Sequence, residues 1–207
     1  MTDLPLDPSR TALIVIDPYN DFLSAGGKGW LLNRATIKAL GTNANLERAI
    51  DYCRNNSIHI CFAPHARYRK GLFDRRRYFN PSVYLARIFQ TFARSGWGGK
   101  FRKSVSPEVG DFVASEHMVS SGFVGTDLHE HLASRNISRL LLCGCLSNTC
   151  VESTARSAIE LGYDVTILSD ALAAMTMADH RAAMESGFPV CADRVISVEQ
   201  LVTGAAR

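Results

Sequence analysis

Unbroken apolar runs of strand length alternate along this chain with segments of helical spacing, and that alternation leaves few ways to fold. Thr11–Ile16 (TALIVI) opens the pattern. Apolar residues then recur at helical spacing over Ile37–Cys53, at Ile37, Leu40, Ala44, Leu46, Ala49, Ile50 and Cys53. Ile58–Phe62 reads as a second strand and Asp111–Ala114 as a weaker third. Asp127–Ser134 is helical, and Ile137–Cys143 (ISRLLLC) is a fourth strand. Asn148–Leu161 predicts a helix stopped by Gly162, glycine being favoured where a helix ends. Asp164–Leu168 is a fifth strand, Ala178–Ser186 a helix and Arg194–Val198 a short sixth strand. Strands that are apolar throughout are buried on both faces, and helices between them make parallel crossovers. The expectation is an α/β protein: a three-layer αβα sandwich around a six-stranded, mainly parallel sheet, in one domain over 1–207.

Composition agrees and narrows the partners. With 46% apolar and 21% charged residues the chain can bury a core. The net charge of +3 is mild, and no nucleic-acid-binding motif accompanies it. Much of the surplus lies in Arg67, Arg69, Lys70, Arg75, Arg76 and Arg77, either a solvated loop or a basic rim that draws anionic substrates inward. No apolar run reaches bilayer length, and the polar, acidic MTDLPLDPSR start is unlike a secretory signal, so a cytoplasmic protein without membrane partners is expected. Of the six cysteines (53, 61, 143, 145, 150, 191), four sit in strand-like segments, as reduced, buried thiols do. Cys143 and Cys145 lack the second pair a zinc knuckle needs. Residues 66–110 fall outside the alternation. They hold a helix at Pro81–Ala93 and the glycine-rich Ser95–Gly99, and suit a lid, a specificity loop or an oligomer contact.

In open parallel sheets, ligands bind beyond the carboxyl ends of the strands. Asp17 follows the first strand, His65 the second, His117 the third and Cys150 the fourth, so the fold should gather them at one edge. Cys150 lies in the opening turn of a helix, where unpaired N–H groups stabilise a thiolate, lower its pKa and can hold an oxyanion. Asp17 comes straight off an apolar strand, a partly desolvated carboxylate suited to take and return a proton. Asn20 and Asp21 read as local turn residues. His59, His129, His131 and His180 fall on strand or helix faces without convergent partners.

Three segments, in order and at preserved spacing over roughly residues 10–200, carry a resemblance. They are Asp17 in D-x-x-N-D-F, Ser121–Leu128 (SGFVGTDL), and the Cys150 region followed by Glu160–Val165 (ELGYDV) and Ser169-Asp-Ala171. Together they resemble the isochorismatase-like hydrolase superfamily. The resemblance implies a six-stranded parallel sheet and an Asp–Lys–Cys triad acting on small amides and related C–N bonds. A cysteine-less branch of the superfamily cleaves the vinyl ether of isochorismate. The family lysine stands six residues before the phenylalanine of S-G-F, and here that residue is His117. A histidine there, with Pro64-His65 after the second strand, resembles a subset of the superfamily. His117 is expected to orient Asp17, to support the thiolate as an imidazolium or to hydrogen-bond substrate; Lys103 is an alternative cation at the wrong spacing. The resemblance also implies a cis peptide between Cys145 and Leu146, with the Leu146 and Cys150 N–H groups as oxyanion hole.

Nicotinamidase-type relatives carry an Asp-x-His pair and a further His beyond the second strand. His65 has no such carboxylate, so neither a catalytic metal nor any cofactor is expected. His65, Arg67 and Tyr68 are expected to contact substrate, Arg67 through a carboxylate, with Phe22, Trp97 and Phe123 walling the pocket. The expected reaction is hydrolysis of a small amide, ureide or carbamoyl compound through a Cys150 thioester, with Asp17 as acid and base. Hydrolysis of isochorismate is the alternative, and a non-catalytic binding protein on the same fold a third. The resemblance further implies a homodimer or homotetramer.

Overall fold

The computed structural model describes residues 6–74, 77, 78 and 81–204, so Arg75 and Arg76 of the basic stretch and the first five residues lie outside the described residues. Six strands form one sheet: β1 (Thr11–Ile16), β2 (His59–Ala63), β3 (Phe112–Val113), β4 (Arg139–Cys145), β5 (Asp164–Ala173) and β6 (Arg194–Ile196). Their order is β3-β2-β1-β4-β5-β6, and every pairing is parallel. All six residues of β1 are buried, as an uninterrupted apolar central strand requires. Ala12, Ile14 and Ile16 face a core closed by α5 (Leu128–Ser134) and α6 (Glu152–Glu160). Leu13 and Val15 face the opposite core, closed by α3 (Thr42–Asn55) and α8 (Val198–Thr203). The expected three layers are thus present. Among the described residues, no helix is long and apolar enough to cross a membrane.

Several boundaries differ from the sequence pattern, for physical reasons. The single helix expected over Ile37–Cys53 is two, α2 (Trp30–Leu40) and α3, separated by Gly41 at φ +68°. Thr36 and Thr42 Oγ1 on either side donate to the Ala174 and Leu172 carbonyls, at 2.6 and 2.5 Å, and tie the break to β5. β5 runs on to Ala173 because its register against β4 jumps between Leu142 and Gly144, which lets Ser169 and Asp170 leave the ladder. Residues Ser147–Val151 form a π-helical turn before α6, and α7 (Met177–Ala182) likewise passes into one at Ala183–Gly187.

The excursion is held to the segment after β1, which contains the one-turn helix α1 (Asn20–Leu23). Asn20 N–H donates to the Lys100 carbonyl at 2.9 Å and Arg102 N–H to the Pro18 carbonyl at 2.8 Å. Asp21 is fully involved: its carboxylate accepts from the Lys28 and Phe92 N–H groups, at 3.0 and 2.7 Å. Asn20 and Asp21 are therefore long-range ties and not merely turn residues. The helix of the excursion, α4 (Pro81–Phe89), stops short of the expected Ala93, where Gln90 and Phe92 take φ of +47° and +57°. It leaves Tyr84, Leu85, Ile88 and Phe89 exposed.

Gly144 shows how closely the site-bearing ends of the central strands approach. It sits opposite Ile16 at φ +117°, and a Cβ there would collide with the Ile16 carbonyl oxygen. Gly144→Ala is expected to cost about 3 kcal/mol from overpacking and backbone strain. By differential scanning calorimetry that is a fall of about 6–12 °C in midpoint for a domain of this size.

Candidate active site

From β1 the chain continues to β2 and β3 on one side, and from β4 to β5 and β6 on the other. The crevice where the order reverses therefore lies between the carboxyl ends of β1 and β4, the expected ligand position in such a sheet. Asp17 leaves β1 there and Cys150 follows β4 in the π-helical turn. Asp17 adopts φ +51°, a left-handed conformation that a non-glycine residue holds at a cost of about 1–3 kcal/mol. Its N–H donates to the Ala63 carbonyl at 3.2 Å, which fixes that conformation against β2.

His117 arrives from the segment after β3. It pairs with His65 as an isolated parallel bridge, its N–H donating to Pro64 at 2.9 Å while its carbonyl accepts from Ala66 at 2.7 Å. Its Nε2 stands 3.1 Å from Asp17 Oδ1, both side chains being essentially fully buried. Next to a carboxylate, Nε2 is assigned the proton. That leaves Asp17 Oδ2 and His117 Nδ1 buried without a partner. One ligand-type atom from each of Asp17, His117 and Cys150 lies within 4.8 Å of the others. Lys103 is exposed on a 3-10 turn, and the basic side chain that meets Asp17 is His117.

Burial pushes the Cys150 thiol well above the ordinary range, and the nearby Asp17 charge adds to it. Hydrogen bonds from Thr149 and the Leu146 backbone act the other way without reversing it. The helix start was expected to lower this thiol; desolvation outweighs it. The resting sulfur keeps its proton, 3.7 Å from the Val119 carbonyl. Removing the charge of Asp17 should ease that constraint. Asp17→Asn is expected to raise the iodoacetamide alkylation rate of Cys150 near neutral pH severalfold, because the charge that opposes the thiolate has gone. A rate unchanged or lower than in the native protein would show that the carboxylate does not act on the sulfur.

The other predicted residues divide. His65 is half-buried with its ring centroid 5.2 Å from that of His117, and its Nδ1 lies 2.9 Å from the Ala66 carbonyl. Burial holds its pKa below the usual histidine range, so the ring is neutral. Arg67 already has a carboxylate: its Nε donates to Glu116 Oε1 at 2.6 Å and its N–H to Oε2 at 3.1 Å, with Arg94 3.4 Å away on the same group. A substrate carboxylate would reach Arg67 only by displacing Glu116. Arg67, Glu116, Tyr19, Lys100 and Phe101 line a cavity of about 310 Å³. Tyr68 is half-buried and its backbone pairs with Phe92 and Arg94.

Phe22 packs edge-on against Phe92, ring centroids 4.7 Å apart, and belongs to the core under the excursion. Trp97 is 51% exposed, at the surface. Phe123 is buried in the same core cluster as Cys150 and stacks on Tyr163. Leu146 is buried and its peptide with Cys145 is cis. Asp170 accepts from Val198 N–H at 2.8 Å, at the start of α8. Sequence reasoning missed Glu116 and Phe92, and also His180, whose Nδ1 lies 3.1 Å from Ser147 Oγ in the turn that carries Cys150. None of the three has a spacing signature; each is defined by a partner remote in sequence.

Known proteins share both sequence and fold. A ureidoacrylate amidohydrolase RutB of Methylobacterium radiotolerans is 30% identical over 202 residues, covering 88% of this chain and 72% of that protein. The RutB of Rhizobium rhizogenes is 26% identical over 179 residues, covering 81% of this chain and 72% of its own length. Among solved structures, a cysteine hydrolase from Pseudomonas syringae pv. phaseolicola superposes with a TM-score of 0.80 at 24% identity, over 97% of this chain and 94% of that one. The family model for the isochorismatase domain matches residues 11–200, and the chain, a hydrolase, belongs to that family.

Proposed function

We propose that this protein hydrolyses a C–N bond of a small amide or ureide through a thioester on Cys150, with Asp17 as general base and then general acid. The observation that carries the reading is the meeting of Asp17, His117 and Cys150 within 4.8 Å at the crevice between β1 and β4. With Oδ1 engaged by His117, Oδ2 is the free oxygen that takes the Cys150 proton. The sulfur then bonds to the substrate carbonyl carbon, and the oxyanion rests on the Leu146 and Cys150 N–H groups. Collapse breaks the C–N bond while Asp17 hands its proton to the departing nitrogen. Asp17 next removes a proton from water, whose oxygen bonds to the acyl carbon. The acid leaves and sulfur regains the proton. A thiol that is neutral at rest suits this order, because charge forms only when substrate is in place. His117 takes the position of the family lysine and steadies Asp17.

The RutB relatives point to ureides as the first compounds to try. Isochorismate is the competing substrate, since Asp17 beside His117 can protonate a vinyl ether without sulfur. Native protein should be mixed with small ureides, amides and isochorismate in turn and acid-quenched on the subsecond scale. The expected result is release of an amine or ammonia from a ureide or amide, with an acyl mass increment on the Cys150 peptide. Turnover of isochorismate alone, with no adduct, would replace this proposal with the vinyl ether reaction.

A further inference from the structure

At the other end of β2, about 20 Å from His65 at the usual strand rise, a second group of reactive side chains meets. His59 opens β2 and Cys61 stands two residues later, so both side chains leave the strand on one face. α5 packs over that face and brings His131 to it. One imidazole nitrogen of each histidine and the Cys61 sulfur lie within 4.8 Å of one another. The two Nε2 atoms are 2.8 Å apart and the rings stack with centroids at 5.0 Å. Phe112 lies flat against His131, ring centroids 3.5 Å apart. From the sequence pattern neither His59 nor His131 has a convergent partner. The structure brings them together with a thiol.

We propose that His59, Cys61 and His131 form a binding site for one borderline-soft divalent metal ion, of which Zn²⁺ fits best. Two imidazoles and a thiolate are the donor set such an ion prefers over hard cations. Burial and the nearby Arg135 charge keep both imidazoles neutral; one Nε2–H donates to the other Nε2, and metal binding moves that proton to Nδ1 so that both Nε2 lone pairs face the ion. Cys61 is pushed up to about 12 by burial, so the metal must displace its proton: an S–H bond breaks, an S–metal bond forms, and one proton leaves. Bonds of about 2.0–2.1 Å at a tetrahedral angle require the two nitrogens to part from 2.8 Å to about 3.3 Å, a small rotation of either ring. A cavity of about 340 Å³ lined by His59, Arg54, Asp111 and Arg135 adjoins the cluster, giving an entry path and room for a fourth, water ligand. Of its charged groups, Asp111 favours a cation and Arg54 and Arg135 oppose it, though Asp111 also holds Arg54 at 2.7 Å.

The test is cobalt titration of the full-length, chelator-stripped protein, with Zn²⁺ as competitor. One Co²⁺ per chain is expected, with a thiolate-to-cobalt charge-transfer band that Zn²⁺ abolishes. Cys61→Ser should lose the band, and both it and His131→Gln should weaken binding by more than the roughly 10–100-fold typical of a lost outer partner. Cys150→Ala should bind as the native protein does, which separates this site from the Asp17, His117 and Cys150 cluster. Hydrolytic activity of Cys61→Ser should be unchanged. Should either ligand variant fold poorly, X-ray absorption of the Zn²⁺-loaded native protein, expected to show one sulfur and two imidazole ligands, decides the matter. No binding by the native protein, binding that survives both ligand variants, or binding lost in Cys150→Ala overturns the proposal. The first outcome would leave a His59–His131 hydrogen bond over a packed thiol.

Discussion

Cys150→Ala is expected to lower kcat/KM for an amide or ureide by at least about 10⁴-fold, close to 5–6 kcal/mol of transition-state stabilisation. The loss is large because sulfur forms and breaks the covalent bond of the intermediate, and Cys150 supplies the one thiol of the cluster with Asp17 and His117. The side chain replaced is small and buried, so the fold should persist, and near-native circular dichroism and thermal melting are the control. Asp17→Asn should cost a comparable factor for a different reason: the thiol, held well above its ordinary range, loses the base that deprotonates it on substrate binding. The two variants then part company. Cys150→Ala forms no adduct, whereas Asp17→Asn still offers a sulfur to alkylating agents. Because they act as a unit, the double variant should be little worse than either alone. If Cys150→Ala retains more than a tenth of native activity, sulfur is not the nucleophile; if Asp17→Asn alone is inactive, the vinyl ether mechanism gains.

What made this site legible was the sheet. Ala12–Ile16 is apolar at every position, as suits a strand covered on both faces, and the residue after such a strand is placed at the rim by geometry alone. Asp17, His117 and Cys150 converge because each follows a strand, and His65 stands beside His117 for the same reason. Contacts between polar side chains remote in sequence were not legible. Glu116 neutralises Arg67 across 49 positions and Asp21 binds Phe92 across 71, and neither leaves a periodic trace. Hydrophobic spacing reports which face is buried, never which polar groups meet. The broken helix at Gly41 and the extended β5 failed differently. Both depend on tertiary bonds from Thr36, Thr42 and Ser169 that override local pattern, Ser169 Oγ donating to the Ile196 carbonyl at 3.1 Å. Cys150 itself was placed correctly but its ionisation was not, because position at a helix start is visible in sequence and depth of burial is not.

Depth of burial predicts the second large effect, a collapse of stability in mild alkali. Burial raises all six thiols in the native state, five of them far: Cys53 and Cys61 to about 12, and Cys143, Cys145 and Cys150 well above the ordinary value of 9.0, with Cys191 raised as well. In the unfolded chain each returns to its ordinary value. The native state therefore keeps protons that the unfolded state gives up, and folding stability falls as pH rises. Below the unfolded thiol pKa, near 9, the full stabilisation is present; it drains away as pH climbs toward the native values. Each thiol contributes about 1.4 kcal/mol per pH unit in that window, so five together remove roughly 7 kcal/mol per unit. Tyr19, also raised by burial, adds to the slope above pH 10. A domain stable by about 5–15 kcal/mol should then unfold between about pH 10 and 11. Urea titrations from neutral pH to pH 11, with reductant present throughout, should show a flat plateau and then this steep descent. Cys53→Ala, although less stable at neutral pH, should descend with about four-fifths of the native slope because one titrating group has gone. A native protein that loses less than about 2 kcal/mol between pH 9 and 10.5 would mean that these sulfurs reach water far more readily than their burial between the two layers of helices allows.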